Sequence, residues 1–244
     1  MKEKPFVALK QQDWQEQFAD DGTADWQQKW FLDGLRADIR NTPDGLVFSA
    51  GPVPDDHGSH AVLWTKADFA GDIRIEFDFT RLDTITRHVN ILYIQATGKQ
   101  KGPFTEDIAE WSTLRQVPRM SCYFDNMELL HISYAAIENK DDRIEDYVRA
   151  RRYPTRPDRA FTETDIPPDN FKTGLFIPGV TYHFTAIKTN EDLFLEVKNT
   201  DVRKLFHWPL GDVKPLTHGR VGIRHMWTRC SRYANICIAT RQSQ

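Results

Sequence analysis

The chain has few cysteines, no long apolar run and no large excess of positive or negative charge, and each of these features excludes a class of protein. Cys122, Cys230 and Cys237 are odd in number and lack metal-type spacing, so we expect ordinary buried thiols rather than a disulfide framework. The net charge of -3 leaves no global attraction to nucleic acid, and no RNA- or DNA-reading motif is present. No apolar run reaches the length of a membrane span.

Signals for targeting and for common reaction types are also missing. The N-terminal MKEKPFVALKQQDW holds only a short apolar run and no small-residue cleavage site, unlike an intact secretory signal. We therefore expect a cytoplasmic protein, or a periplasmic one if a leader has been trimmed. A Gly-rich phosphate loop, a nucleophile elbow and a Cys–His signature are absent. Nucleotide-dependent transfer and ordinary serine hydrolysis are thus disfavoured.

What the sequence does contain is a series of short segments typical of strands. Residues 72–80 alternate strictly between apolar and polar side chains, which predicts a strand with one buried face. Residues 88–98 are apolar on both faces, as expected of a central strand. Nine or ten such strands are recognisable, with the longest loops at 99–119 and 139–170. This pattern predicts an all-β fold, an antiparallel β-sandwich with long loops. We expect a single domain, 1–244, on which an irregular segment, 1–44, is packed.

Two sets of residues suggest chemistry for which the sequence signal is weak. Glu76 and Asp78 share one strand face, about 7 Å apart by strand rise, and could form the carboxylate pair of a glycosidase. Arg74 shares that face, however, and solvated polar residues are the default on the outer face of such a strand. Two groups of histidines could bind a metal: His57 with His60, and His207 with His218 and His225. Neither group has the spacing of a zinc motif. We expect no cofactor and no catalytic metal, although loop carboxylates could hold a structural calcium.

The richest stretch chemically is 131–156, which begins with a histidine and ends in a cluster of arginines. Guanidinium groups suit bidentate recognition of carboxylate, sulfate or phosphate. The alternative is a solvated surface on which these arginines pair with the acids before them, Asp141, Asp142, Glu145 and Asp146. A second block with the same residue types runs from Arg224 to Tyr233.

Arginine, histidine and tyrosine together suit β-elimination next to a carboxylate. Arginine neutralises the carboxylate and makes its α-proton easier to remove, while histidine and tyrosine serve as base and acid. The candidate acid–base residues are His131, Tyr134, His225 and Tyr233. The candidate substrate-binding residues are His88, Asn90, Trp111, Arg149, Arg151, Arg152, Tyr153, Arg224 and Trp227. Trp111 and Trp227 would stack on sugar rings, as Trp64 could.

Four blocks of sequence resemble a bacterial family, the YesU-like proteins. They are HAVLWTKADFAGDIRIEFDFTRLD, NILYIQATG, HISYAAIEN with YVRARRYP after it, and GRVGIRHMWTRCSRYAN. The resemblance covers about residues 45–240. It implies a concanavalin A-like (lectin/glucanase) jelly roll and a place in the use of acidic plant and algal glycans. Some family members are similar to a dehydratase of ulvan fragments, which implies elimination from a uronic-acid unit.

Three functions therefore remain open at this point. The leading prediction is a lyase or dehydratase acting by β-elimination on uronate-containing oligosaccharides, for example ulvan-type fragments. The alternatives are a glycoside hydrolase that uses Glu76 and Asp78, and a lectin-like module that binds glycans without changing them. The predicted partner is an acidic oligosaccharide, with neither nucleic acid nor membrane, and the oligomeric state is left open.

Overall fold

The computed structural model describes residues 2–140, 143–156, 158 and 160–241, and most of them lie in strands. Two short helices are present, α1 (Glu3–Lys10) and α2 (Met120–Phe124). The strands are β1 (Gln15–Asp20), β2 (Trp30–Asp33), β3 (Asp38–Thr42), β4 (Gly45–Ser49), β5 (Ala61–Thr65), β6 (Phe69–Ala70), β7 (Asp72–Arg81), β8 (His88–Gly98), β9 (Met127–Lys140), β10 (Arg143–Tyr153), β11 (Asp165–Phe171), β12 (Thr181–Lys188), β13 (Asp192–Lys198), β14 (Arg203–Pro209), β15 (His218–His225) and β16 (Cys230–Arg241). Single 3-10 turns occupy Trp26–Gln28, His57–Ser59, Ile108–Arg115 and Phe161–Thr164.

These strands form two antiparallel sheets. Sheet 1 has the order β14-β13-β12-β7-β16-β4-β3, with β1 also paired to β16. Sheet 2 has the order β11-β10-β9-β8-β15-β5-β2, with β6 also paired to β15. Apolar side chains of both sheets meet in one core, so the predicted all-β antiparallel sandwich is confirmed.

The alternation in β7 decides which of its side chains enter that core. Ile73, Ile75, Phe77 and Phe79 are all buried between the sheets, and the polar residues between them point outward. β8 is buried on both faces, as its apolar sequence predicts: Leu92 and Ile94 face sheet 1, while Ile91 and Tyr93 lie in a second cluster.

The structure holds more strands than the nine or ten expected, and the difference has a physical cause. The segment 1–44, expected to be irregular, contributes α1 and three strands. The region 139–170, expected to be a loop, contains all of β10 and all of β11 except Phe171. Several of these extra strands are sheet edges, such as β3 (DIRNT) and β11 (DIPPDNF). Edge strands tolerate polar residues and proline, so they show little apolar alternation.

A second apolar cluster lies on the outer face of sheet 2, the face turned away from sheet 1. The segment 99–126, which joins β8 to β9 and is here called the cover segment, packs there through Ile108, Trp111 and Tyr123. Beneath it lie Trp64 and Tyr93. Both faces of sheet 2 are therefore buried at this point.

Two further expectations concern cysteine and membranes. Cys122, Cys230 and Cys237 are free thiols, but each is partly exposed rather than buried. In the part of the chain that the structure describes, no helix is long and apolar enough to cross a membrane.

Candidate functional site

The outer face of sheet 2 carries two rows of side chains that cross its strands in register. Neighbours across strands on one face have Cβ atoms about 4.5–5.5 Å apart, so each row joins distant parts of the chain. The first row runs through Arg149, Ser133, Ile91, Arg224 and Val62. The next row runs through Arg151, His131, Tyr93, Gly222 and Trp64. Arginine, histidine and tyrosine thus meet on the face beneath the cover segment.

His131 lies at the centre of this arrangement and has both ring nitrogens engaged. Nδ1 lies 2.9 Å from the Tyr153 hydroxyl, and Nε2 lies 2.7 Å from Ser133 Oγ. Burial, together with the positive charges of Arg151 and Arg224, holds the pKa of His131 well below its usual value. Burial also raises the pKa of Tyr153 well above its usual value. At neutral pH the pair is therefore a neutral imidazole beside a protonated phenol.

Three of the four candidate arginines already have carboxylate partners. Arg149 binds Asp169 through two nitrogens, at 2.8 and 2.5 Å. Arg151 pairs with Asp165 at 2.5 Å, and Arg152 pairs with Glu128 at 2.5 Å. The carboxylates are not those suggested by the sequence: Glu145 pairs with Lys172 instead, and Asp141 and Asp142 lie outside the described residues.

Arg224 differs from these three arginines. It is 0% exposed, and its Nη2 donates to the carbonyl oxygen of Pro118 in the cover segment at 2.6 Å. Its Cζ lies 4.5 Å from the ring centre of Tyr123. Its Nε and Nη1 make no hydrogen bond of acceptable geometry within the described chain. Burial raises the pKa of Tyr93, and the Arg224 guanidinium beside the Tyr93 hydroxyl opposes that rise. Arg224 is therefore a buried guanidinium with unused donors.

An aromatic stack fills the space beside Arg224. The rings of Trp64 and Tyr93 are stacked at 5.4 Å, and Tyr123 stacks on Tyr93 at 6.0 Å. Gly222 makes this possible, because a Cβ at that position would lie 2.4 Å from the Trp64 ring. A glycine in β15 thus lets the indole lie flat across the sheet.

The cover segment is anchored by a buried carboxylate. Asp33 Oδ2 accepts hydrogen bonds from Arg115 Nε at 2.6 Å, Trp64 Nε1 at 2.8 Å and the Tyr123 hydroxyl at 3.1 Å. Arg115 and Tyr123 belong to the cover segment, whereas Asp33 and Trp64 belong to sheet 2. One carboxylate therefore fastens the cover segment to the sheet.

Two clefts reach this face near opposite ends of β10. One of about 430 Å³ is lined by Arg87, His88, Val89, Ile137, Tyr147, Arg149 and Met226. The other, of about 310 Å³, has Tyr153, Thr164 and Asp165 in its wall. Arg149 lines the first cleft and Tyr153 the second, so the two clefts flank the row that contains Arg151 and His131.

Four predicted site residues lie in the core between the sheets instead. Tyr134, His225 and Tyr233 are 0% exposed; the Tyr233 hydroxyl lies 2.7 Å from that of Tyr134 and 2.8 Å from His225 Nε2. Asn90 donates to Ser231 Oγ at 3.0 Å in the same core. The strand period explains this, because Tyr134 and His225 alternate with the outward-facing Ser133 and Arg224. The single site predicted from His131 and His225 is wrong, since they lie on opposite faces of sheet 2.

Three other candidates lie away from the row or have their side chains engaged. On β10 the side chain of Arg152 points to the face opposite to that of Arg151, and it pairs with Glu128 at the end of the sandwich. Trp111 is 3% exposed and packs inside the cover segment, with Arg115 Cζ 4.3 Å from its ring centre. Trp227 contacts His60 at 4.3 Å and His88 at 4.4 Å. Trp111 therefore presents no uncovered ring for a sugar, whereas Trp227 is partly exposed beside the two histidines.

The alternative pair, Glu76 and Asp78, lies on the outer face of sheet 1, on the opposite side of the sandwich from His131. His183 bridges the two carboxylates, with Nδ1 2.8 Å from Asp78 and Nε2 3.9 Å from Glu76. A hydrogen bond with His183 lowers the pKa of Glu76. A glycosidase acid needs a raised pKa, so the geometry does not favour hydrolysis by Glu76 as the acid.

We expect this bridge to stabilise the fold in a pH-dependent way. Glu76 and Asp78 raise the pKa of His183, so its contribution is complete below the ordinary histidine value of about 6.5 and is lost as pH rises through the higher folded value. His183→Gln should lower the thermal midpoint between about pH 5 and 6.5 and have little effect at about pH 9. Thermal melts across this range test it, and an equal loss at both ends would contradict it.

Sequence reasoning missed several residues of this face. Tyr93, Ser133 and Arg115 were not singled out, and His60 was treated as a loop histidine. His60 is 0% exposed, and neither ring nitrogen has a hydrogen-bond partner in the described chain. Burial is the main cause that lowers its pKa to about 2. The one signal in the sequence for Tyr93 is that it alternates with the core residues Leu92 and Ile94 of β8, which would place it on the outer face of sheet 2.

The expectation of no catalytic metal stays a prediction, as does the structural calcium that loop carboxylates could hold. Within residues 2–140, 143–156, 158 and 160–241, no three His, Cys, Asp or Glu side chains converge in a way that could hold a metal ion.

Comparison by sequence finds no matching family model and no matching curated protein. Solved structures do match. A Bacillus subtilis protein of unknown function with a galectin-like fold has a TM-score of 0.64 and 17% identity, over 95% of this chain and 100% of that one. The exoplasmic/lumenal domain of VIP36, bound to Ca2+ and Man3GlcNAc, has a TM-score of 0.56 and 10% identity, over 89% and 88%. Lectin II from Ulex europaeus has a TM-score of 0.56 and 8% identity, over 91% and 97%. At these identities the likeness shows the fold alone. It agrees with the sandwich implied by the YesU-like resemblance, while membership of that family stays a prediction.

Proposed function

We propose that the protein binds an acidic carbohydrate on the outer face of sheet 2, with Arg224 holding the anionic group. The observation that carries this proposal is the state of Arg224, which is fully buried, lacks a carboxylate partner among the described residues, and has two unused nitrogens. The lectins among the matching structures are carbohydrate-binding proteins by name, which supports the ligand class.

The physical argument concerns the cost of a buried positive charge. A guanidinium stays protonated in proteins and cannot escape burial by losing its proton. Contact with the Tyr123 ring and with one carbonyl offsets part of this cost, but two donors stay unused. A carboxylate or sulfate on a sugar supplies both the charge and the acceptors, in the fork geometry that guanidinium prefers.

Replacing Arg224 with Met is the direct test. Methionine keeps much of the apolar packing against Tyr123 and removes every donor. We expect affinity for a uronate oligosaccharide to fall about 10- to 150-fold, as for loss of charge-assisted hydrogen bonds of about 1.5–3 kcal/mol. We expect the thermal midpoint not to fall, because no carboxylate partner is left unpaired. Isothermal titration with uronate oligosaccharides and with their carboxyl-reduced forms measures the affinity, and thermal melts measure the midpoint.

Arg241→Met is the matched control. It removes an arginine that is paired with Asp72 in sheet 1 and lines neither cleft. This variant should bind as the native protein does and be less stable. Equal affinity of Arg224→Met and the native protein, or no binding of any acidic oligosaccharide in a broad panel, would show the proposal to be wrong.

A second candidate function, β-elimination on the bound uronate, is favoured by the His131–Tyr153 contact of 2.9 Å. The base removes the proton from the carbon next to the carboxylate, and its electrons form the new C=C bond. The C–O bond at the next carbon breaks, and the acid protonates the departing oxygen as water or an alcohol. A neutral imidazole and a protonated phenol supply one acceptor and one donor for these two steps.

A further inference from the structure

Three side chains around Tyr123 have buried hydrogen-bond donors without partners in the described chain. They are the Tyr93 hydroxyl, Nε and Nη1 of Arg224, and Nη1 and Nη2 of Arg115. All three side chains are 0% exposed. Unused donors of this kind are rare in folded proteins and call for an explanation.

Two of the three side chains contact the Tyr123 ring, and the third, Arg115, shares a carboxylate oxygen with the Tyr123 hydroxyl. Tyr93 stacks on Tyr123 at 6.0 Å, and Arg224 Cζ lies 4.5 Å from the Tyr123 ring centre. The Tyr123 hydroxyl and Arg115 Nε both donate to Asp33 Oδ2. Burial raises the pKa of Tyr123, and both guanidinium charges oppose that rise. Arg224 thus lies against the Tyr123 ring, and Arg115 lies at the Asp33 oxygen that accepts from the Tyr123 hydroxyl.

The charges at this point do not balance. Arg115 and Arg224 are two permanent positive charges, and Asp33 is the buried carboxylate that contacts Arg115. Asp33 Oδ1 also has no partner in the described chain and can take one Arg115 nitrogen after a small rotation. Three guanidinium nitrogens and the Tyr93 hydroxyl then stay unused beside one excess positive charge. An uncompensated buried charge is strongly unfavourable, so the arrangement suits a bound anion.

We propose that Arg115, Arg224 and Tyr93 form one anion site beneath the cover segment, which takes the carboxylate or sulfate group of a saccharide. Because Arg115 belongs to the cover segment and Arg224 to β15, a single anion bound to both fastens the cover segment over the ligand. This inference rests on the proposed function, which needs Arg224 alone, and extends it to a second arginine from a different part of the chain. It also requires the cover segment to open for entry, since all three side chains are fully buried.

Arg115→Lys separates this role from the anchoring of the cover segment. Lysine keeps the positive charge that pairs with Asp33 and removes the additional guanidinium nitrogens. We expect about tenfold weaker binding of an acidic saccharide, the effect of one lost charge-assisted contact, with no change for its carboxyl-reduced form. The thermal midpoint should stay the same. Tyr93→Phe, which removes a single hydroxyl, should weaken binding of the same saccharide by a smaller factor.

Hydrogen exchange tests whether Arg115 contacts the ligand, because an arginine with only a structural role would not change how saccharide binding affects amide exchange. Binding of the acidic saccharide should slow amide exchange in 108–124 of the native protein, and the slowing should be reduced in Arg115→Lys. Titrations with a carboxylated saccharide, a sulfated saccharide and inorganic sulfate identify the source of the anion. Slowing by inorganic sulfate equal to that by either saccharide would overturn a saccharide as the occupant.

The two proposals fail in different ways. If Arg224→Met loses affinity while Arg115→Lys binds as the native protein does, the shared anion site is wrong and the proposed function stands. If neither variant changes the binding of an acidic saccharide, both are wrong.

Discussion

Tyr153→Phe is expected to lower the rate of elimination from a uronate oligosaccharide by about 100- to 10,000-fold, the range typical of losing one acid–base group. The change removes only a hydroxyl, which lies 2.9 Å from His131 Nδ1. Tyr153 is 0% exposed but is among the residues that line the cleft of about 310 Å³. His131 would keep its contact with Ser133, so the imidazole should stay in place. The rise in ultraviolet absorbance of the conjugated product measures the rate.

The matched control for this prediction is Tyr134→Phe. Its hydroxyl is also paired, but with Tyr233 in the core between the sheets, and Tyr134 lines neither of the two clefts. This control should retain the rate and lose about 1 kcal/mol of stability. Full activity in Tyr153→Phe would show that the pair is not the acid–base group. If the native protein binds uronates yet produces no absorbance on long incubation, the lectin-like function holds and elimination is wrong.

The fold was predictable from sequence because its central strands carry their pattern locally. β7 alternates without a break, and β8 is apolar on both faces, so each indicates a strand without knowledge of its partners. The edge strands β3 and β11 are polar, and β11 contains two prolines. Their pairing depends on a neighbouring strand that the local sequence does not contain, and they were therefore expected to be loops.

The candidate site was less predictable, because residue type does not say which face a side chain takes. Side chains alternate between the two faces of a strand, so His131 and Tyr134, three residues apart on β9, project to opposite faces. The neighbours Arg224 and His225 on β15 do so for the same reason. The pairing of Arg149 with Asp169 depends on the register of β10 and β11, which is long-range information. Arg115 is in a segment without strand pattern, so its place over sheet 2 follows only from the packing of the cover segment.

The buried ion pair of Asp33 with Arg115, which holds the cover segment on sheet 2, gives the largest expected effect on stability. Asp33→Asn should destabilise the protein by about 3–5 kcal/mol, the effect of removing one partner from a buried ion pair. Asparagine can still accept hydrogen bonds from Trp64 and Tyr123, but Arg115, which is 0% exposed, would lose its counter-charge. Urea unfolding of the native protein and the variant measures the difference in unfolding free energy.

The double variant Asp33→Asn with Arg115→Met shows whether charge is the cause. Replacing both members of a buried pair is far less damaging than breaking it, so the double variant should recover most of the lost stability. Because the pair fastens the cover segment to sheet 2, the single variant should also be cut faster by protease within 104–126, and the double variant should be protected again. Additive losses in the double variant would mean that Asp33 acts through Trp64 and Tyr123 rather than through Arg115.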